Sequence, residues 1–173
     1  MPSQLTAKYI QTPLGEVIAV FSKNGLQLLD YTDKPMLEKE LNALKSDLIF
    51  TENCLTSLLE NELDQYFNKQ LTQFSVPLDS IGTPFQQKVW QLLLQIPYGK
   101  TISYKEQSER YSDPKAIRAI ASANGKNKIS ILIPCHRVIG NNGKLTGYAG
   151  GIWRKKALLE LEQSNLQKQL KLF

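Results

Sequence analysis

The chain has 173 residues, 42% hydrophobic and 9% aromatic, enough for one or two cored domains and too apolar for a disordered chain. No apolar run approaches a membrane span, the first residues (Met1-Pro2-Ser3-Gln4-Leu5-Thr6-Ala7-Lys8) hold no apolar signal segment, and two cysteines make no secreted disulfide framework, so a reducing cytoplasm is expected. The formal charge of +5 is unevenly divided: residues 1–81 carry 6 Lys/Arg against 11 Asp/Glu (net −5) and residues 82–173 carry 15 against 5 (net +10), so a polyanion, nucleic acid first, is expected to meet the second half.

Residues 5–31 read as two or three strands. Thr12-Pro13-Leu14-Gly15 and Ser22-Lys23-Asn24-Gly25 are turn signals, and Val17-Ile18-Ala19-Val20-Phe21 between them is a buried-strand run. A helical pattern over 34–46 (Met36, Leu41, Leu44) precedes a strand at Leu48-Ile49-Phe50. A second helix is predicted over 56–69, with Leu58, Leu59, Leu63 and Phe67 at helical spacing, and then a short polar strand around 74–79. Ser80-Ile81-Gly82 reads as a linker, which divides the chain into domains 1–81 and 82–173. Cys54 has no histidine near it in sequence and is read as structural.

From Thr83 the pattern changes to short, capped helices. Thr83-Pro84-Phe85-Gln86 is a capping box with proline at the first helical position, opening a helix that would bury Phe85, Val89, Leu92, Leu93 and Ile96. Ser103-Tyr104-Lys105-Glu106 is a second box, for a helix to about Tyr111, and Ser112-Asp113-Pro114 caps a third helix reaching Asn124. Two short helices joined by a tight turn, the second basic, form a helix-turn-helix pattern. On the third helix Ile117, Ile120 and Ala121 make the inward stripe. Lys115, Arg118 and Ser122 share the outward face, and Ala116, Ala119 and Ala123 keep it slim enough to approach a sugar-phosphate backbone. A helical hairpin with a solvated basic face fits the same pattern, and the +10 charge favours DNA.

Residues 131–139, Ile-Leu-Ile-Pro-Cys-His-Arg-Val-Ile, hold the only histidine, one of the two cysteines and an arginine. Ile131-Leu132-Ile133 reads as the end of a buried strand, and Pro134 stops ladder pairing because it has no N–H. Cys135 is then held at an element boundary, either as an inert small hydrophobe or as a thiolate. One histidine and two cysteines are too few for a structural zinc site. Adjacent side chains diverge in helix and strand, so His136 would reach Cys135 more easily through a water than directly. The glycines at 140, 143, 147, 150 and 151 match no phosphate-loop spacing; they permit tight turns that set Tyr148 beside the site. A last helix from Ile152 carries Lys155, Leu158, Leu159, Glu162 and Leu166 on one stripe. A carboxylate amid that stripe either snorkels to water or pairs with the one imidazole, His136.

These residues resemble the O6-alkylguanine-DNA alkyltransferases, the methylated-DNA–protein-cysteine methyltransferases. The resemblance runs from Gly82-Thr83-Pro84-Phe85-Gln86-Gln87-Lys88-Val89-Trp90 through Ile102-Ser103-Tyr104, Pro114-Lys115-Ala116, Asn127, Ile133-Pro134-Cys135-His136-Arg137-Val138 and Gly147-Tyr148-Ala149-Gly150-Gly151 to Leu158-Leu159-Glu160-Leu161-Glu162. It implies an α+β protein: a ribonuclease-H-like α/β domain, then a mainly helical DNA-binding and catalytic domain with a helix-turn-helix. It implies single-turnover transfer of an alkyl group from O6-alkylguanine, and O4-alkylthymine, in double-stranded DNA to Cys135, with no cofactor, metal or membrane and a monomeric protein.

Carried over residue by residue, the resemblance makes Cys135 the acceptor. His136 takes the thiol proton through water, Glu162 holds His136, and Asn127 braces the turn. Tyr104 helps rotate the nucleotide, and Arg118 fills the gap in the stack. Tyr148 and the backbone around Val138, Ala149 and Gly150 line the guanine pocket, and the helix bearing Lys115, Arg118, Ala119, Ser122 and Ala123 enters the minor groove. Lys128 and Ser130 stand where the family often has proline, and Ala149 where a hydroxyl can stand; these bear on alkyl size and pocket inhibitors. Cys135 argues against the non-enzymatic alkyltransferase-like proteins, which replace that cysteine. Two cysteines are too few for the regulatory members' zinc domain, and a cysteine hydrolase would need a directly placed base and no +10 half.

Overall fold

The structure, a computed structural model, describes residues 4–170; Met1, Pro2 and Ser3 of the amino-terminal segment read above lie outside them. The chain forms two compact units, Met1–Ile81 and Gly82–Phe173.

In the first unit the turn signals produce three strands, β1 (Gln4–Thr12), β2 (Gly15–Ser22) and β3 (Gly25–Tyr31), joined as antiparallel hairpins. A fourth strand, β4 (Asp47–Phe50), adds parallel to β1, giving the order β3-β2-β1-β4. Val17–Phe21 of β2 are all buried, because the sheet is covered on both faces. One face packs Leu5, Ala7, Ile18, Val20 and Leu28 against Leu37, Leu41 and Leu44 around helix α1 (Leu37–Ala43). The other carries helix α2 (Cys54–Phe67), where Lys8 of β1 reaches Glu60. In α1 the inward position is Leu37, not Met36, which precedes the first turn and is 48% exposed.

The polar strand expected at 74–79 reduces to a single bridge, Leu26↔Leu78. Pro77 has no N–H to donate, and the N–H groups of Ser75 and Val76 go to the Glu62 carboxylate instead of a ladder. The Pro77 carbonyl passes so near Gly25 (φ +153°) that a Cβ there would lie 2.5 Å from its oxygen, which requires glycine. Cys54, read as structural, is an exposed residue in the first turn of α2 and fills no core.

The second unit begins with α3 (Pro84–Leu94). The predicted capping box forms in full: Gln86 N donates to Thr83 Oγ1 at 3.2 Å and Thr83 N to Gln86 Oε1 at 3.0 Å. Val89, Trp90, Leu93 and Ile96 are buried, whereas Phe85 and Leu92 are only half-buried. Helix α4 (Tyr104–Arg110) is capped by Ser103, but Glu106 turns to Arg110 and leaves the second box one-sided. Asp113 caps a 3-10 turn, Pro114–Ala116, which leads into α5 (Ile117–Gly125). A reciprocal amide pair, Gln107 with Asn124, is buried between α4 and α5 and fixes their register. Helix α6 (Ile152–Leu170) closes the unit.

Candidate active site

The site starts from one amide side chain. Asn127, just past α5, accepts from Ile129 N at 3.0 Å and donates to Ile133 O at 2.9 Å. It thereby closes a tight turn, and Ile131-Leu132-Ile133, expected as a strand end, is that turn. Ile131 has φ +71°, a left-handed conformation costing a β-branched residue about 1–3 kcal/mol, here held by complete burial. The apolar run is buried as anticipated, but its hydrogen bonds are local. Pro134 follows, and Cys135–Arg137 form one 3-10 turn with Cys135 half-buried. The Asn127 amide also lies 3.4 Å from Cys135 Sγ. Beyond the turn, β6 (Val138–Ile139) pairs parallel with β5 (Ile102–Ser103), so the cap of α4 is tied to the chain just after Cys135.

His136 is fully buried, with Nε2 2.8 Å from Oε1 of Glu162, itself fully buried on α6. Of the two readings of Glu162, the paired one is correct. Burial holds the His136 imidazole below its ordinary pKa, partly opposed by Glu162, so the ring is neutral near pH 7. Burial pushes Glu162 up, but hydrogen bonds and charge from His136 and Arg137 outweigh it and hold the carboxyl well below its usual range. Arg137 contributes two bonds of 3.0 Å, one to each oxygen. With an ionised acceptor on Nε2, that nitrogen carries the imidazole proton. Nδ1 is then a buried acceptor without a partner among the described residues.

Beside this chain of groups lies a cavity of about 560 Å³. Cys135 forms one wall, Ile117, Arg118 and Ala121 of α5 another, and Tyr104 with Thr146–Ala149 a third. Tyr104 Oη donates to Thr146 O at 3.1 Å. Gly147 sits at φ +59°, which favours glycine in the loop that carries Tyr148 and Ala149. The structure thus brings together Cys135, Tyr104, Tyr148, Ala149 and Arg118 around one opening. Val138 and Gly150 are buried behind it. Lys115, Ala119 and Ser122 are exposed on the 3-10 turn and α5, outside the lining. Ala123 requires a correction: it is 2% exposed and packs inward, where its carbonyl accepts from Trp90 Nε1 at 2.9 Å, so it cannot touch DNA.

Two models of the 6-O-methylguanine DNA methyltransferases match the chain, the ribonuclease-like domain over residues 5–80 and the DNA-binding domain over 84–164. A methylated-DNA–protein-cysteine methyltransferase of Mycobacterium leprae is 42% identical over 164 residues, covering 95% of this chain and 96% of the relative. The chain belongs to the methylated-DNA–protein-cysteine methyltransferase family. The Mycobacterium bovis methyltransferase is 57% identical over 113 residues, 65% of this chain and 68% of its own length. A crystal structure of Mycobacterium tuberculosis OGT in complex with DNA superposes with a TM-score of 0.81 at 41% identity, covering 94% of each chain.

In this methyltransferase two buried cations lie at the site with partners that the sequence did not give. Arg137 is one. Lys155 is the other: fully buried on α6, it donates to Thr146 O at 3.0 Å and Gly147 O at 3.3 Å, clamping the glycine loop. Burial lowers its pKa to about 8, against the opposing pull of Cys135, so it is a cation close enough to feel the sulfur's charge. The signal for it was present, since Lys155 occupies the same apolar stripe as Glu162. Among the described residues no cluster of three or more acidic, cysteine or histidine side chains suits a metal ion.

Proposed function

We propose that this protein repairs DNA by direct transfer of an alkyl group from O6-alkylguanine, and from O4-alkylthymine, to Cys135, one group per molecule. The observation that carries the reading is Cys135 on the wall of a cavity of about 560 Å³, followed in the chain by His136, which is buried and paired with Glu162.

An O6-alkyl carbon inside a duplex is out of reach, so the nucleotide must be turned out of the stack, which costs a few kcal/mol. Arg118, exposed at the cavity mouth, fills the vacancy and offsets part of that cost. The alkylated base enters between the Tyr104 and Tyr148 walls. His136 Nδ1 takes the Cys135 thiol proton through a water, and Asn127 and Lys155 favour the sulfur anion. The sulfur attacks the alkyl carbon in line; the C–O bond breaks, its electron pair leaves with O6 as the delocalised guanine anion, and that anion takes up a proton at N1 to become normal guanine. The thioether is stable, so the protein is consumed.

The helix carrying Arg118 approaches by the minor groove, as its narrow face (Ala119, Ser122) suits, while Lys115 meets phosphate. The two units, 1–81 and 82–173, act as a ribonuclease-like domain and an alkyltransferase domain in a cytoplasmic monomer. Among the described residues no helix is long and apolar enough to cross a membrane. The relative crystallised with DNA supports the substrate. Cys135→Ala tests the assignment: alkyl transfer should vanish while affinity for methylated duplex stays within about threefold. Transfer persisting in that variant would mean another acceptor.

A further inference from the structure

The residues assigned above leave one cation of the site without a task. Arg137 is buried, and each nitrogen of its guanidinium donates a hydrogen bond. Nε donates to Oε2 of Glu162 and Nη2 to Oε1, both at 3.0 Å, a two-toothed grip; Nη1 donates to Ile96 O at 2.7 Å. The ring of Tyr98 lies 5.7 Å from its central carbon. Glu162 Oε2 also accepts from Gly99 N at 3.2 Å. Of these donors to the carboxylate and His136 Nε2, only the imidazole belongs to the proton path.

We propose that Arg137 is a positioning residue for the transfer reaction: by gripping both oxygens of Glu162 it compels His136 to keep its proton on Nε2, which leaves Nδ1 as the acceptor. This rests on the reading of His136 as the proton acceptor. The physical reason is a choice of tautomer. Held by Arg137, Glu162 is a pure acceptor and can only receive a hydrogen from Nε2. Without Arg137, a buried carboxyl takes up a proton more readily and can donate it to Nε2, which moves the ring proton to Nδ1 and blocks the site that must take the thiol proton. The charges facing His136 are Glu162 and Lys155 from α6 and Arg137 from its own turn; Tyr98, from the turn after α3, faces the Glu162 side. Removing Arg137 deletes one of the two cations near the imidazole and lets it charge more easily. A lysine offers a single point donor in place of the fork and should restore the charge but only part of the grip.

The chain contains one histidine, so imidazole nitrogen resonances report on His136 without assignment by mutation. The experiment records them from about pH 5 to 8, the range in which imidazoles titrate, in the full-length protein and in Arg137→Met, Arg137→Lys and His136→Gln. The same samples give single-turnover alkyl transfer rates on methylated duplex. Wild type should show one neutral, Nε2-protonated form. Arg137→Met should show mixed tautomers or a charged ring. The acid limb of its rate profile should move up by about one pH unit, as removal of a neighbouring charge does. Arg137→Lys should fall between. Wild-type imidazole signals and an unmoved acid limb in Arg137→Met overturn the proposal, whether its rate is normal or uniformly reduced, because a merely structural arginine would give that result. If Arg137→Met does not fold, wild-type signals in Arg137→Lys overturn it equally. Full activity in His136→Gln would remove the underlying reading as well, and so separates the two failures.

Discussion

Each unit buries one glutamate on a helix stripe, and the two have opposite consequences. Glu62 of α2 accepts from Ser75 N, Ser75 Oγ and Val76 N, all neutral donors of one loop. Glu162 of α6 accepts from an imidazole, a guanidinium and one backbone N–H. Burial and helical position are alike; the partners differ. Neutral backbone donors make a latch that holds a segment in place. Titratable and charged donors make a device whose protonation matters, and this one ends beside a cysteine. A buried carboxylate is thus read from what it grips.

Exchange at the two positions should break the comparison most sharply. Glu162→Gln should slow alkyl transfer at neutral pH by at least about 100-fold, the usual scale of a lost acid–base function, measured in single turnover. Glu62→Gln should leave the rate per folded molecule unchanged and lower stability by about 1–3 kcal/mol, measured by urea unfolding.

Acid should separate the units next. The folded pKa values of His136 and Glu162 both lie below their unfolded values, so the unfolded chain binds more protons and stability falls as pH drops. The loss attached to His136 begins below its unfolded value near 6.5 and that of Glu162 below 4.5. Melting of the second unit should therefore shift down between pH 7 and 5, by roughly 4–8 °C per kcal/mol, and His136→Gln should flatten that dependence. An unchanged slope in the variant would contradict the neutral buried imidazole.

Two surface changes give smaller effects and sharpen the contrast between cavity and helix face. Arg118→Ala should slow repair in duplex about tenfold or more while leaving reaction with the free alkylguanine base nearly untouched, since only the duplex demands base extrusion. Equal losses would remove the stack-filling role. Lys115→Ala should weaken binding to all duplexes alike and reduce the salt slope by about one.

Local chemistry was legible in the sequence. The Thr83–Gln86 box, the hairpin turns and the buried Val17–Phe21 strand follow from interactions within a few residues, and they appear as read. Pro134-Cys135-His136-Arg137 marked the candidate site, and Glu162, a carboxylate in an apolar stripe, called for a partner that the one imidazole could supply. What failed depends on side-chain partners that periodicity does not register. Ile131-Leu132-Ile133 looks like a strand by composition, but Asn127 captures its backbone and bends it into a turn. Ala123 shares an alanine series with Ala119, yet the Trp90 indole claims its carbonyl and turns that position inward. The β5–β6 pairing joins residues some 36 positions apart with no signal in either dipeptide. Arg137 and Lys155 stood in the legible stretches, but what a buried cation does is set by the carboxylate or carbonyls that meet it, and these the sequence does not give.

The central claim is that the sulfur of Cys135 is the permanent destination of the alkyl group. Intact-mass spectrometry after incubation with duplex containing O6-methylguanine, followed by mapping of the modified peptide, tests it most directly. The account predicts one added methyl group per molecule, on the peptide containing Cys135, and repair that stops at one lesion per protein. A protein recovered unchanged in mass, or one that clears many lesions per molecule, would contradict it.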